Sequence, residues 1–236
     1  NVVGVFVFAW PFLVPAVAPH IDAPWILAVV TVCLGALLFA ELERAGLGPK
    51  TVALVAVLGA AMVALRLPGY VAGFSAMFIV VLVAGNAFGA GFGFLLGAVG
   101  TFASALFVGG LGPWLPFQML AVGWVGAGSG VLPRPSSWPL RITILAVYGF
   151  VAAFLFGAVI NLYFWPFIAG SSKLGWDASA GATTNLRHYA AFYAVTSFGW
   201  DAVGAVGNAV LVVVLGRPLL GAFDRAARRM NLEMRS

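Results

Sequence analysis

Few residues in this chain could do chemistry, and the most conspicuous is a carboxylate in the wrong solvent. Asp201 stands inside an apolar stretch that runs from Tyr189 to Leu215. A charge within hydrocarbon either serves a function or is firmly held by partners. Two readings are open: a structural Asp bonded to Thr196, Ser197 or a neighbouring helix, or a ligand contact or proton site at a broken helix. Gly199 is the expected bend, because a stretch of that length must tilt or bend and Gly takes unusual backbone angles. N–H groups freed at the bend would then bond the carboxylate, and Asp201 with Gly199 would shape the floor of a pocket.

A second set, Arg66, Trp114, Gln118, Asn161, Trp165, Asn185 and Arg187, falls near the ends of apolar runs. Each alone fits an interfacial Trp or a snorkelling Arg. Together, on one side of a membrane, they suit the lining of an open small-molecule pocket, a chemistry of recognition. The chain has no GxxxxGK[ST], HExxH or GxSxG pattern and no Asp-rich transferase motif, so neither a P-loop ATPase nor one of those hydrolases is expected. One cysteine, Cys33, and two histidines, His20 and His188 in separate expected loops, give no ligand cluster, so no metal or cofactor is expected.

The elements that must position these residues cross a membrane. The chain is 63% hydrophobic and 8% charged, and its apolar runs are continuous rather than alternating. That pattern predicts an all-α integral membrane protein and argues against a β-barrel. About eight spans are expected: Val2 to Val17, Trp25 to Ala40, Thr51 to Leu65, Val71 to Ala84 or Phe88, Phe92 to Val108, Pro116 to Leu132, Leu140 to Tyr163 and Tyr189 to Leu215. The first run begins abruptly and lacks the pattern of a signal peptide, which predicts further residues ahead of Asn1. The longest polar loop is expected over Pro166 to Leu186, with Lys173 and Asp177. Residues 1–45 form an N-terminal helical pair, 46–220 a six-helix core, and 221–236 a basic amphipathic tail for an anionic membrane surface.

With an inside amino end, Arg44, Lys50, Arg134, Arg141, Arg217, Arg225, Arg228, Arg229 and Arg235 fall on one side. Only Arg66, Lys173 and Arg187 fall on the other, which completes the 12 basic residues. This bias predicts a multi-pass protein of the cell membrane with both termini cytoplasmic. The net charge of +5 therefore speaks of orientation, and no nucleic-acid partner is expected.

The centre of the chain is Gly85 to Leu132. Gly89, Gly93, Gly97 and Gly100 on one arm face Gly123 and Gly126 to Gly130 on the next, a spacing that lets helix backbones approach in lipid. Gly109 to Pro113 stops the first arm, and Pro116 opens the second where its missing N–H costs nothing. A strip of Ala56, Ala60 and Ala64 suits close packing within the chain or docking to a partner helix. Asn86 and Asn208 are expected to hydrogen-bond between helices.

Several of these residues carry a resemblance. Gly91 to Gly97 (GFGFLLG), Gly112 to Met119 (GPWLPFQM), Asn161-Leu162 with Trp165-Pro166-Phe167, and Gly199-Trp200-Asp201 resemble the substrate-binding S components of energy-coupling factor vitamin transporters. The likeness is to an actinobacterial branch with a GPWxPFQM turn, and it covers about Thr51 to Leu220. It implies high-affinity capture of a vitamin from outside, with corrinoids ranked first. It also implies assembly with a transmembrane T component and paired ATPases, and delivery by toppling of the whole subunit. By the same resemblance Ala56 and Ala60 match an AxxxA motif that docks on the T component. The loops at Arg66–Phe74, Gly109–Gln118 and Pro166–Arg187 would close over the substrate. The 1–45 pair lies outside the common core. Other classes remain open from the residues alone: a non-transport scaffold or enzyme subunit, or a stand-alone channel or carrier, which would more often show paired broken helices.

Overall fold

The computed structural model describes residues 2–13, 28–29, 31–36, 39–40, 43, 48–67, 74–167, 174–177 and 179–230. Every regular element among them is helical: α1 Val2–Leu13, α2 Pro49–Arg66, α3 Met77–Phe88, α4 Ala90–Val108, α5 Leu115–Val131, α6 Trp138–Phe164 with a 3-10 turn Trp165–Phe167, α7 Ala182–Thr196 and α8 Phe198–Met230. Helices α2, α4, α6 and α8 are long and apolar enough to cross a membrane, and α3 is a shorter apolar helix. This is an all-α integral membrane protein. Within the expected second span, the described residues 28–29, 31–36 and 39–40 are helical, and Leu34 is buried in the same apolar cluster as Phe8 of α1. The expectations for the loop 19–24, for Glu41, Arg44, Pro68, Gly69, Lys173 and for residues 231–236 lie outside the described residues.

The glycine pattern places α4 against α5, the most extensive helix contact in the bundle. A Cβ at Gly97 would stand 2.6 Å from the Val122 carbonyl oxygen and 2.9 Å from Gly123 Cα. One at Gly93 would stand 2.6 Å from the Gly126 carbonyl carbon and 2.9 Å from Gly85 Cα. Three backbones, α3, α4 and α5, thus meet without side chains between them. Gly89, at φ 103°, joins α3 to α4, so the chain reverses direction through one residue in a conformation that L side chains rarely take. Gly109, at φ 69°, ends α4, and the N–H of Gly110 bonds the Ala105 carbonyl. Pro116 stands in the first turn of α5, as its sequence position predicts.

The bundle has two ends, named here by the arginines they hold. At the Arg141 end, Arg141 is buried and its guanidinium grips Asp224 with two bonds of 2.7 and 3.1 Å. Its Nε donates to Asn86 at 2.8 Å, and the Trp138 ring lies 5.7 Å away. Asn86 in turn donates to the Ser129 carbonyl, so α3, α5, α6 and α8 are tied at one point. Asn208 donates to the Gly149 carbonyl halfway along α6, and both Asn residues bridge helices as expected.

Four expectations are corrected here. The boundary between core and basic tail at residue 220 falls inside the unbroken α8. Leu220 is fully buried, and Phe223 stacks on Phe88 at 5.6 Å, so this part of α8 belongs to the bundle. The last span, expected as one stretch from Tyr189 to Leu215, is two helices. The break is at Ser197, with φ −127° and ψ −31°. Gly199 lies inside α8, and a Cβ placed there would meet nothing within 4 Å. The expected loop over Pro166 to Leu186 is shorter by the first turn of α7, and His188 belongs to that helix.

Candidate substrate-binding end

At the other end, α2, α4 and α5 bring three polar side chains together. The Arg66 guanidinium, in the last turn of α2, donates to the Ser104 hydroxyl at 2.6 Å and to the Gln118 carbonyl oxygen at 3.4 Å. Gln118 stands in the first turn of α5, an end of a helix where the backbone dipole favours negative charge. Ser104 is oriented by its own donation to the Thr101 carbonyl, and Thr101 by donation to Gly97. The tight glycine hairpin is therefore what fixes the height of Ser104 against Arg66. Sequence reasoning missed Ser104. Its signal was the spacing Gly97, Thr101, Ser104, which puts two hydroxyls on the glycine face of α4.

The other expected residues do not join this group through any bond among the described residues. Trp114 is exposed in the turn before α5, and its indole donates to the Gly110 carbonyl. Asn161 donates to the Gly157 carbonyl one turn back in its own helix. Trp165, expected at a lipid interface or in a pocket, is fully buried: its indole donates to Leu174 and its ring contacts Phe12 at 5.8 Å and Tyr189 at 5.2 Å. The reason is α1, which lies over this corner. Asn185 is spent on the loop before α7, accepting from the Asp177 N–H and donating to the Asp177 and Ala180 carbonyls. Asp177 is exposed, and hydrogen bonds from the Ser179 hydroxyl and N–H hold its carboxyl below the ordinary range. Arg187 is exposed on α7.

Of the expected partners, Asp201 takes a neighbouring helix and not Thr196 or Ser197. Its carboxylate accepts from the Tyr193 hydroxyl at 2.7 Å, across the break at Ser197. Thr196 instead donates back to Phe192, and the Asp201 N–H completes a helical bond to Ser197. The carboxylate packs on Gly157 of α6, where any side chain would collide with it. Tyr189, one turn before Tyr193, donates to the Ala158 carbonyl. The Tyr193 hydroxyl also reaches the Phe154 carbonyl at 3.4 Å, so two tyrosines pin α7 to α6, and Asp201 closes the corner between α7 and α8. A tyrosine four residues before the break was the readable signal.

Helix α1 ties two elements at the Arg66 end. Phe8 contacts Phe117 at 5.2 Å and Trp124 at 5.6 Å on α5, and the Trp176 indole donates to the Pro11 carbonyl at 3.0 Å. On α2, Ala53, Ala56, Ala60 and Ala64 are exposed, while Val55, Leu58, Gly59 and Met62 face the bundle. The alanine strip is therefore an outward face of the molecule.

An all-α membrane bundle that gathers several of its polar side chains at one end belongs, as a class, with membrane-embedded binding and transport proteins. The family model for the ECF transporter substrate-specific component matches residues 50–216, from the start of α2 into α8 and through every residue of the Arg66 cluster. The chain belongs to that family. No curated protein and no solved structure matches it significantly.

Proposed function

We propose that the chain captures a vitamin from outside the cell for an ECF-type importer and works with a transmembrane T component and paired ATPases. The family match across the six-helix core carries this reading. The Arg66 end is the outward one on this view, because nine of the 12 basic residues fall toward the other end or the tail beyond it. Both termini are then cytoplasmic. Arg66 and Gln118 are the primary contacts, with Trp114, Asn161 and Arg187 around the entrance. Trp165, Asn185, Gly199 and Asp201 act from behind, by holding the loop and the helix corner. A corrinoid ranks first as substrate, on the likeness of the GPWLPFQM turn. The exposed Ala56 and Ala60 are the docking strip for the T component. Residues 1–45 make a helical pair added to the core, which begins at residue 46. Native mass spectrometry of the purified chain against a vitamin panel tests this reading: one vitamin should bind at a one-to-one ratio, and a chain that retains none of them is not such a subunit.

A further inference from the structure

Among the described residues, the two buried or half-buried arginines of the bundle are completed differently. Arg141 has a carboxylate, Asp224, at 2.7 Å. Arg66 has only neutral oxygens among those residues, those of Ser104 and Gln118. The described carboxylates toward the same end are engaged elsewhere, Asp177 by Ser179 and Asp201 by Tyr193. A guanidinium withdrawn from bulk water without an anion is an incomplete arrangement, since its strongest partner is a carboxylate or phosphate held by a planar fork of N–H donors. Two further features favour an anion there. Gln118 sits at the amino end of α5, and Ser104 offers a hydroxyl fixed by Thr101.

We propose that Arg66, Ser104 and Gln118 form an oxyanion subsite, and that the substrate carries a carboxylate or phosphate group which seats on the Arg66 guanidinium. This rests on the reading of the chain as a vitamin-binding subunit and narrows its substrate class. The carboxamide of Gln118 and the Ser104 hydroxyl hold the fork in place before binding and yield to the anion when it arrives.

The test uses matched pairs that differ in one anionic group: biotin and biotinamide, flavin mononucleotide and riboflavin, and dicyanocobinamide phosphate and dicyanocobinamide, which lacks the phosphate. Affinities are measured on the purified full chain in phosphate-free maltoside. For the pair that binds, the anionic member should bind about tenfold tighter or more. Arg66→Gln should erase that preference, bringing the anionic member's affinity down to or below that of the neutral member, and Arg66→Lys should retain part of it. A preference for the neutral member, or an anionic preference that survives Arg66→Gln, overturns the subsite and leaves vitamin capture standing. Failure of every pair to bind wild type overturns vitamin capture, and the subsite with it. The anion could also be a lipid headgroup. In that case native mass spectrometry shows a phospholipid held by wild type and released by Arg66→Gln, with no acid preference in maltoside, and the proposal falls.

Discussion

Removing Asp224 should be among the most damaging single changes in the molecule, although it lies toward the end of the chain. Its carboxylate makes both of the charged bonds to Arg141, at 2.7 and 3.1 Å, and the two side chains are 8% and 20% exposed for Arg141 and Asp224. Exposed ion pairs contribute at most about 1 kcal/mol, whereas breaking a buried pair costs about 3–5 kcal/mol because the remaining charge is stranded. In Asp224→Ala the guanidinium would keep one bond, to Asn86, and the face of Trp138. Partial exposure of Asp224 admits some water, so a loss of about 2–4 kcal/mol is expected. Asp224→Asn keeps the shape but loses the charge and should fall between. The double variant Arg141→Met with Asp224→Leu removes both charges and should recover much of the loss, since a well-packed apolar pair can match a buried ion pair. Reversible unfolding in mixed sodium dodecyl sulfate and maltoside micelles measures each value. Vitamin affinity should stay unchanged, because Arg141 is about 30 Å along α6 from Asn161. A loss below about 1 kcal/mol in Asp224→Ala would show the pair to be screened by water and the reasoning to be wrong.

Gly97→Ala should cost about 1–3 kcal/mol, because its Cβ would press on the Val122 carbonyl and Gly123, and an unchanged unfolding midpoint would contradict the close α4–α5 approach. Gly199→Ala should be neutral or stabilising by up to about 1 kcal/mol, being a glycine in the first turn of α8 with open space around it, and a clear loss would restore Gly199 as the bend. Asp201→Asn should keep the fold, while Asp201→Leu, which leaves Tyr193 only the Phe154 carbonyl at 3.4 Å and puts more bulk against Gly157, should lose α7 protection in hydrogen exchange; equal protection in both would remove Asp201 from the corner. Ala56→Trp should abolish uptake in cells expressing the importer and leave vitamin binding intact, and normal uptake would remove α2 as the docking face.

What the sequence made legible were features whose cause is local. The glycine arms could be read because only small side chains permit backbone contact in lipid, and Pro116 because a proline ring fits a helix start and little else. The fold class followed from continuous apolar runs. The last span reads as one bent helix because Thr196 and Ser197 look like ordinary helix residues, whereas Gly199 looks like a hinge. The true break depends on Tyr193 and Tyr189 holding α7 to α6, a tertiary fact. Trp165 near a helix end reads as an interfacial residue; its burial depends on α1, far earlier in the chain. Asp224 looks like part of a solvated basic tail until its partner, 83 residues away, is known.

The same limit explains why the candidate site was only half readable. Sequence position put Arg66 and Gln118 toward one side of the membrane, and the structure sets them 3.4 Å apart with Ser104 between their helices. It also withdraws Trp165 and Asn185 from direct contact, since their polar atoms are bonded to the loop beyond α6. Among the described residues, what distinguishes the Arg66 end is the neutral company its cation keeps. A chain that needed Arg66 only for stability could have supplied a carboxylate, as it does for Arg141 with Asp224. Leaving the charge to Ser104 and Gln118 costs stability at that end and leaves an electrostatic requirement that a ligand can meet. On the proposed reading, the asymmetry between the two arginines gives stability to one end of the bundle and recognition to the other.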